Sequence, residues 1–132
     1  FCVSNCDDLL KEIDIAQAIQ KQKPGIGITT STMPWNYLSI ETESQMNVTG
    51  FKRHKREDSD LINGNFSNGF YILSPKVFEF TPIQMRDGEF GLPQTLFENL
   101  NKQPLDGFMF EKWQSVNGPN DIVDAEKFLN HD

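Results

Sequence analysis

The chain opens on a weakly alternating run, Phe1 to Asn5, which reads as a buried strand ending at Cys6-Asp7-Asp8. Asp14 carries the marks of a helix N-cap, with Gln17 three residues on, and Ile15, Ala18 and Ile19 form one apolar stripe. Pro24-Gly25 stops that helix. Ile26 to Thr32 alternates as a strand, and Tyr37 to Thr42 with Val48 to Phe51 reads as a hairpin around Ser44 to Asn47. The charged, Gly/Asn/Ser-rich stretch from Lys52 to Asn65 predicts a surface loop. Phe70 to Leu73 reads as a short strand, and Ser74-Pro75 opens a short helix ending near Phe80. Leu92, Leu96 and Leu100, spaced by four, predict a helix from about Pro93 to Lys102. Gly107 to Trp113 reads as a strand, and Pro119 starts a last helix with the stripe Ile122, Ala125, Leu129.

The order β-α-β-β-β-β-α-β-α predicts an α/β fold: a mixed, mainly parallel sheet flanked by helices on both faces. Ligands of such sheets bind outside the carboxyl ends of the strands. Asp7 and Asp8 lie at one such end, and the residues after Trp113 at another.

At 132 residues the chain has room for one domain, and its 11 phenylalanines offset a modest 37% hydrophobic content. A net charge of -7 repels phosphate backbones and argues against a general nucleic-acid binder, though not against one nucleotide bridged through a metal ion. No stretch approaches the roughly 20 apolar residues of a membrane span, and no signal peptide is visible. An opening Phe1 suggests a chain cut from something longer. Cys2 and Cys6, on one predicted strand, would stand roughly 13 Å apart, beyond disulfide reach. Unpaired thiols fit a reducing cytoplasm.

Three segments, Phe1 to Asp8, Phe66 to Pro75 and Trp113 to Glu126, together resemble the C-terminal half of the sugar-phosphate nucleotidyltransferases. The resemblance runs over nearly the whole chain and implies a partial Rossmann-like fold. It also implies transfer of a nucleotidyl group from an NTP to a sugar 1-phosphate, with release of pyrophosphate. In that family an apolar strand ends in an acidic residue holding Mg²⁺; Asp7 matches it, Asp8 stands beside it, and Cys6 replaces the usual glycine. The segment Ser67 to Tyr71 matches the stretch that contacts the sugar, which implicates Asn68, Gly69 and Tyr71. Trp113, Pro119 and Asp121 fit the motif Trp-x-Asp-x-Gly-Thr-Pro-x-Asp. Read by residue type alone, Asp7-Asp8 could simply solvate a turn, and Asn68-Gly69 could simply make one.

The departures are specific. The family's second metal carboxylate falls on Ser115, or on Asn117 in the cytidylyltransferase variant of the pattern, and Asp121 better suits a first helical turn. Where the family shows Phe-x-Glu-Lys-Pro, this chain has Arg53, His54 and Lys55: a basic cluster able to hold a phosphate, or a solvated loop offset by Glu57, Asp58 and Asp60. Neither His54 nor His131 has a catalytic partner at a recognisable spacing. The family's Gly-x-Gly-Thr-Arg loop, which cradles the triphosphate, is absent, so the resemblance implies inactivity of this chain alone. Its partners would then be the missing N-terminal half or a homo-oligomeric copy. Two other functions are compatible with these residues: a glycosyltransferase using a nucleotide sugar, and a non-catalytic sugar-nucleotide-binding module.

Overall fold

A computed structural model describes residues 1–35, 37–54 and 60–130. Strand β1 (Cys2–Ser4) leads through a turn into β2 (Asp8–Leu10) and helix α1 (Glu12–Gln20). Three longer strands follow, β3 (Gly25–Pro34), β4 (Leu38–Thr42) and β5 (Val48–Arg53), and then β6 (Leu61–Ile72). A 3₁₀ turn over Pro75–Glu79 precedes the short pair β7 (Ile83–Gln84) and β8 (Phe90–Gly91), which feeds α2 (Leu92–Glu98). The chain closes with β9 (Asp106–Met109), β10 (Trp113–Ser115), a 3₁₀ turn over Pro119–Asp121 and α3 (Ile122–Asn130).

The main sheet runs β5-β4-β6-β3-β9, with β1 also paired to β6. It is mixed, as expected, but not mainly parallel: β3–β9 is its one parallel pairing among the described residues. The reason lies in the connections. Among the described residues from Gly25 to Ile72 strand follows strand with no intervening α-helix, and parallel neighbours need a crossover.

Alternate positions of the strands supply two cores. Ile26, Ile28, Tyr71 and Leu73 face α2 through Leu96 and Phe97, whereas Phe70, Phe108 and Phe110 face α1 through Ala18. Ile26, Ile28 and Phe66 are fully buried, each contributing about 1.5–3 kcal/mol of apolar burial. The expected hairpin of β4 and β5 is present in register, Ile40 opposite Phe51.

Several features differ from the sequence expectation. The helix starts at Glu12 after Lys11, so Asp14 is no cap: it is buried, and its Oδ2 accepts the Glu111 N–H at 3.0 Å. That bond lies in the break between β9 and β10, where one strand was expected. The expected loop ends early, because Leu61 to Asn65 pairs with Thr30 to Pro34 as the outer end of β6. Of the stripe on α3 only Ala125 is buried; Ile122 and Leu129 are exposed, while Lys11 Nζ donates to the Phe128 carbonyl at 3.0 Å and sits over its ring. Both cysteines are free and exposed. Among the described residues no helix is long and apolar enough to cross a membrane.

Candidate functional site

Segments far apart in sequence line one open cleft of about 560 Å³. Asn5, Asp7 and Asp8 come from the turn between β1 and β2; Ser67, Gly69 and Tyr71 come from β6; Trp113, Ser115 and Asn117 come from β10 and the loop after it. Tyr37, Leu38 and Pro93 complete the wall.

The turn after β1 meets β10 because β2 pairs antiparallel with it, Asp8 opposite Ser115 and Leu10 opposite Trp113. The Val116 N–H donates to the Asp7 carbonyl at 2.8 Å and extends that pairing. Asp8 is the structural hub. Its Oδ1 accepts the Trp113 indole N–H at 2.6 Å and its Oδ2 accepts the Asn5 amide at 2.9 Å. The Asp7 side chain is exposed, with no hydrogen bond or ion pair among the described residues. Asp7 is therefore the carboxylate free to meet a ligand, with Asp8 able to lend its remaining lone pairs.

On β6 the register with β3 passes from Ile26 opposite Tyr71 to Ile28 opposite Ser67, so a two-residue step faces a four-residue step. This bulge sits beside the cleft and re-aims the side chains around it. Gly69 at its centre has φ +78°, and a Cβ there would collide with the Asp8 carboxylate and the Asn5 amide. The Gly69 carbonyl accepts the Asn5 N–H at 3.0 Å, which fixes the turn against the bulge.

The bulge also turns Asn68 away. Its side chain is fully buried against Gly27, donating to Thr29 Oγ1 and accepting the Phe70 N–H, each at 3.3 Å. The expected sugar-contacting amide thus lies outside the cleft wall, whereas Gly69, Tyr71, Trp113, Asp7 and Asp8 come together in it. Tyr71 shares a hydrogen bond of 3.3 Å with Ser67. Burial pushes its phenol above the ordinary 10.0, opposed by the Ser67 bond and reinforced by the Asp8 charge.

Tyr37, which the sequence did not single out as a site residue, also takes part. Tyr37 meets the Trp113 ring edge-on at 6.2 Å, and its hydroxyl accepts the Asn117 amide at 3.4 Å. Asn117 Nδ2 also donates to Ser115 Oγ at 2.9 Å, so the two residues at the family's second carboxylate position bond each other. Asp121 accepts the N–H groups of Asn117 and Gly118 at 2.8 and 2.9 Å, which holds the loop before the last helix. His54 has a partner that spacing did not reveal, Ser39 Oγ at 2.8 Å from Nε2. Lys55, Glu57, Asp58 and His131 lie outside the described residues.

No group of three or more metal-binding side chains occurs among the described residues. The donor set nevertheless suits Mg²⁺, which commonly takes one or two carboxylates and completes its shell with water and substrate phosphate. Asp7 with Asp8 fits that pattern; Ser115 and Asn117 add no charge.

No protein-family model and no curated protein matches the chain. Solved structures do. An apo UDP-glucose pyrophosphorylase superposes with a TM-score of 0.76 at 17% identity, covering 98% of this chain and 54% of that one. The inositol-1-phosphate CTP transferase from T. maritima gives 0.75 at 15% identity, with the same coverage of 98% and 54%. HddC from Yersinia pseudotuberculosis gives 0.67 at 21% identity, covering 97% and 55%. The chain shares the fold of these three solved structures and spans about half their length.

Proposed function

We propose that the chain is the C-terminal half of a sugar nucleotidyltransferase domain and carries its acceptor side, where a sugar 1-phosphate binds with Mg²⁺. The observation that carries this reading is the convergence of Asp7 and Asp8 with Gly69, Tyr71 and Trp113 on one cleft. They come from three separate stretches, the turn into β2, β6 and β10, of a fold shared with such enzymes.

Asp7 and Asp8 would hold the ion, which, when bound, neutralises phosphate charge. Gly69 lets backbone approach the sugar closely, and the Ser67 and Tyr71 hydroxyls can bond its hydroxyl groups. Trp113 and Tyr37 wall the sugar from solvent on one side. The reaction is attack by a sugar-phosphate oxygen on the α-phosphorus of an NTP, with pyrophosphate leaving. It needs alignment and charge neutralisation rather than a protein nucleophile.

The triphosphate cradle then comes from further chain of the same fold. The place for it is the free side of β1, which pairs only with β6 among the described residues. Phe1, Phe78 and Phe90 stand 51%, 79% and 65% exposed nearby, around an apolar hollow of about 310 Å³. Free, exposed Cys2 and Cys6 suit a cytoplasmic protein.

Calorimetric titration with glucose 1-phosphate, with and without Mg²⁺, tests the reading. Binding that depends on Mg²⁺ and is lost in Asp7→Asn is expected; equal binding by wild type and variant removes Asp7 from the site.

A further inference from the structure

The principal cleft carries two carboxylates and no cation: among the described residues, no Lys, Arg or His lines it. In a chain of net charge -7, an anionic ligand there lacks any side-chain counter-charge. The cations stand behind Tyr37. A second hollow of about 180 Å³ is lined by Trp35, Tyr37, Arg53 and His54, and Tyr37 is the wall common to both.

The two basic side chains are presented differently. Arg53 ends β5 and is exposed, its guanidinium 5.9 Å from the Phe51 ring centroid, with no carboxylate partner among the described residues. Its planar fork is free to grip a carboxylate or phosphate with two parallel bonds. His54 is held by Ser39, which is buried on β4. Ser39 Oγ lies 2.8 Å from His54 Nε2, the donor being set by the ring's tautomer, and 3.4 Å from the Lys52 carbonyl. Whichever tautomer is present, Nδ1 is the ring nitrogen left to meet a ligand. Trp35 and Tyr37 add apolar area against which a sugar ring can lie.

We infer that this annex binds a second anionic group of the ligand, on the other side of Tyr37 from the phosphate at Asp7. The acceptor is then a sugar 1-phosphate that bears a further carboxylate or phosphate on its ring. This inference rests on the function proposed above and names its substrate class.

The test compares glucose 1-phosphate, glucuronic acid 1-phosphate and glucose 1,6-bisphosphate by calorimetry at fixed Mg²⁺, on wild type and on Arg53→Gln/His54→Gln. At least one doubly anionic ligand should bind wild type about tenfold or more tighter than glucose 1-phosphate. That gain should vanish in the double variant, while glucose 1-phosphate affinity holds. The ligand that gains identifies the anion as carboxylate or phosphate. Equal affinity of wild type for all three ligands, or a gain that survives the substitutions, overturns the annex and leaves the proposed function standing. Absence of binding by all three overturns both. Arg53 is exposed at the end of β5 and His54 follows it, half-buried against Ser39, and circular dichroism checks that the fold is retained.

Discussion

The Trp113 indole N–H donates to Asp8 Oδ1 at 2.6 Å, across 105 positions of sequence. This contact reinforces the β2–β10 pairing that brings the turn after the first strand against β10 at the cleft. Asp8 is thus an organising group, and Asp7, one residue earlier and free of such bonds, is the one facing outward.

Trp113→Phe keeps the ring and removes the donor. One Asp8 oxygen then loses a charge-assisted bond worth about 1.5–3 kcal/mol. Urea unfolding should show a loss near 2 kcal/mol, and ligand affinity should fall as β2 and β10 loosen. An unchanged midpoint would show that the indole bond contributes nothing.

Gly69→Ala meets two penalties at once. Its φ of +78° disfavours any side chain, and the new Cβ collides with Asp8 and Asn5. A destabilisation of about 2 kcal/mol or more is expected by the same unfolding measurement. Gly88→Ala is the control: its φ is +91°, but nothing lies within 4 Å of the added Cβ, so only backbone strain remains.

Asn68→Ala tests the buried reading of that amide. It strips the Phe70 N–H and Thr29 of their partner and should cost about 1–3 kcal/mol of stability. Sugar-phosphate affinity, measured well below the unfolding midpoint, should change less than twofold. A large affinity loss with intact stability would return Asn68 to the ligand.

Tyr71 should release its proton above pH 10, because burial holds the phenol neutral. The unfolded chain gives up the same proton near 10, so Tyr71 contributes stability that is full below that pH. This contribution is lost as pH rises toward the folded value. Absorbance titration of the two phenols should show a component above pH 10 that Tyr71→Phe removes.

The candidate site was named through the family resemblance rather than local pattern: the expected strand ends moved, since Asp8 opens β2 and Trp113 opens β10. The hairpin of β4 and β5 was plain, from alternation on both sides of a polar turn. What failed was decided at long range. Asp14 looks like a cap until the Glu111 N–H, 97 positions away, claims its carboxylate. Asn68-Gly69 has turn chemistry but sits in a bulge within a 12-residue strand, a distinction that only the β3 register reveals. Tyr37 and Trp113 meet only after folding. The start of β6, Leu61 to Asn65, was lost because its Asn and Gly residues carry loop chemistry while its pairing with Thr30 to Pro34 is set at long range.

Amide and indole NMR signals followed during addition of Mn²⁺ test the central claim most directly, since the paramagnetic ion broadens whatever lies near it. Broadening should begin at Asp7, Asp8, Gly69 and the Trp113 indole, leave the Trp35 indole until much later, and disappear in Asp7→Asn. Uniform broadening, or broadening centred on another acidic surface, would contradict a metal-binding cleft at the end of the first strand.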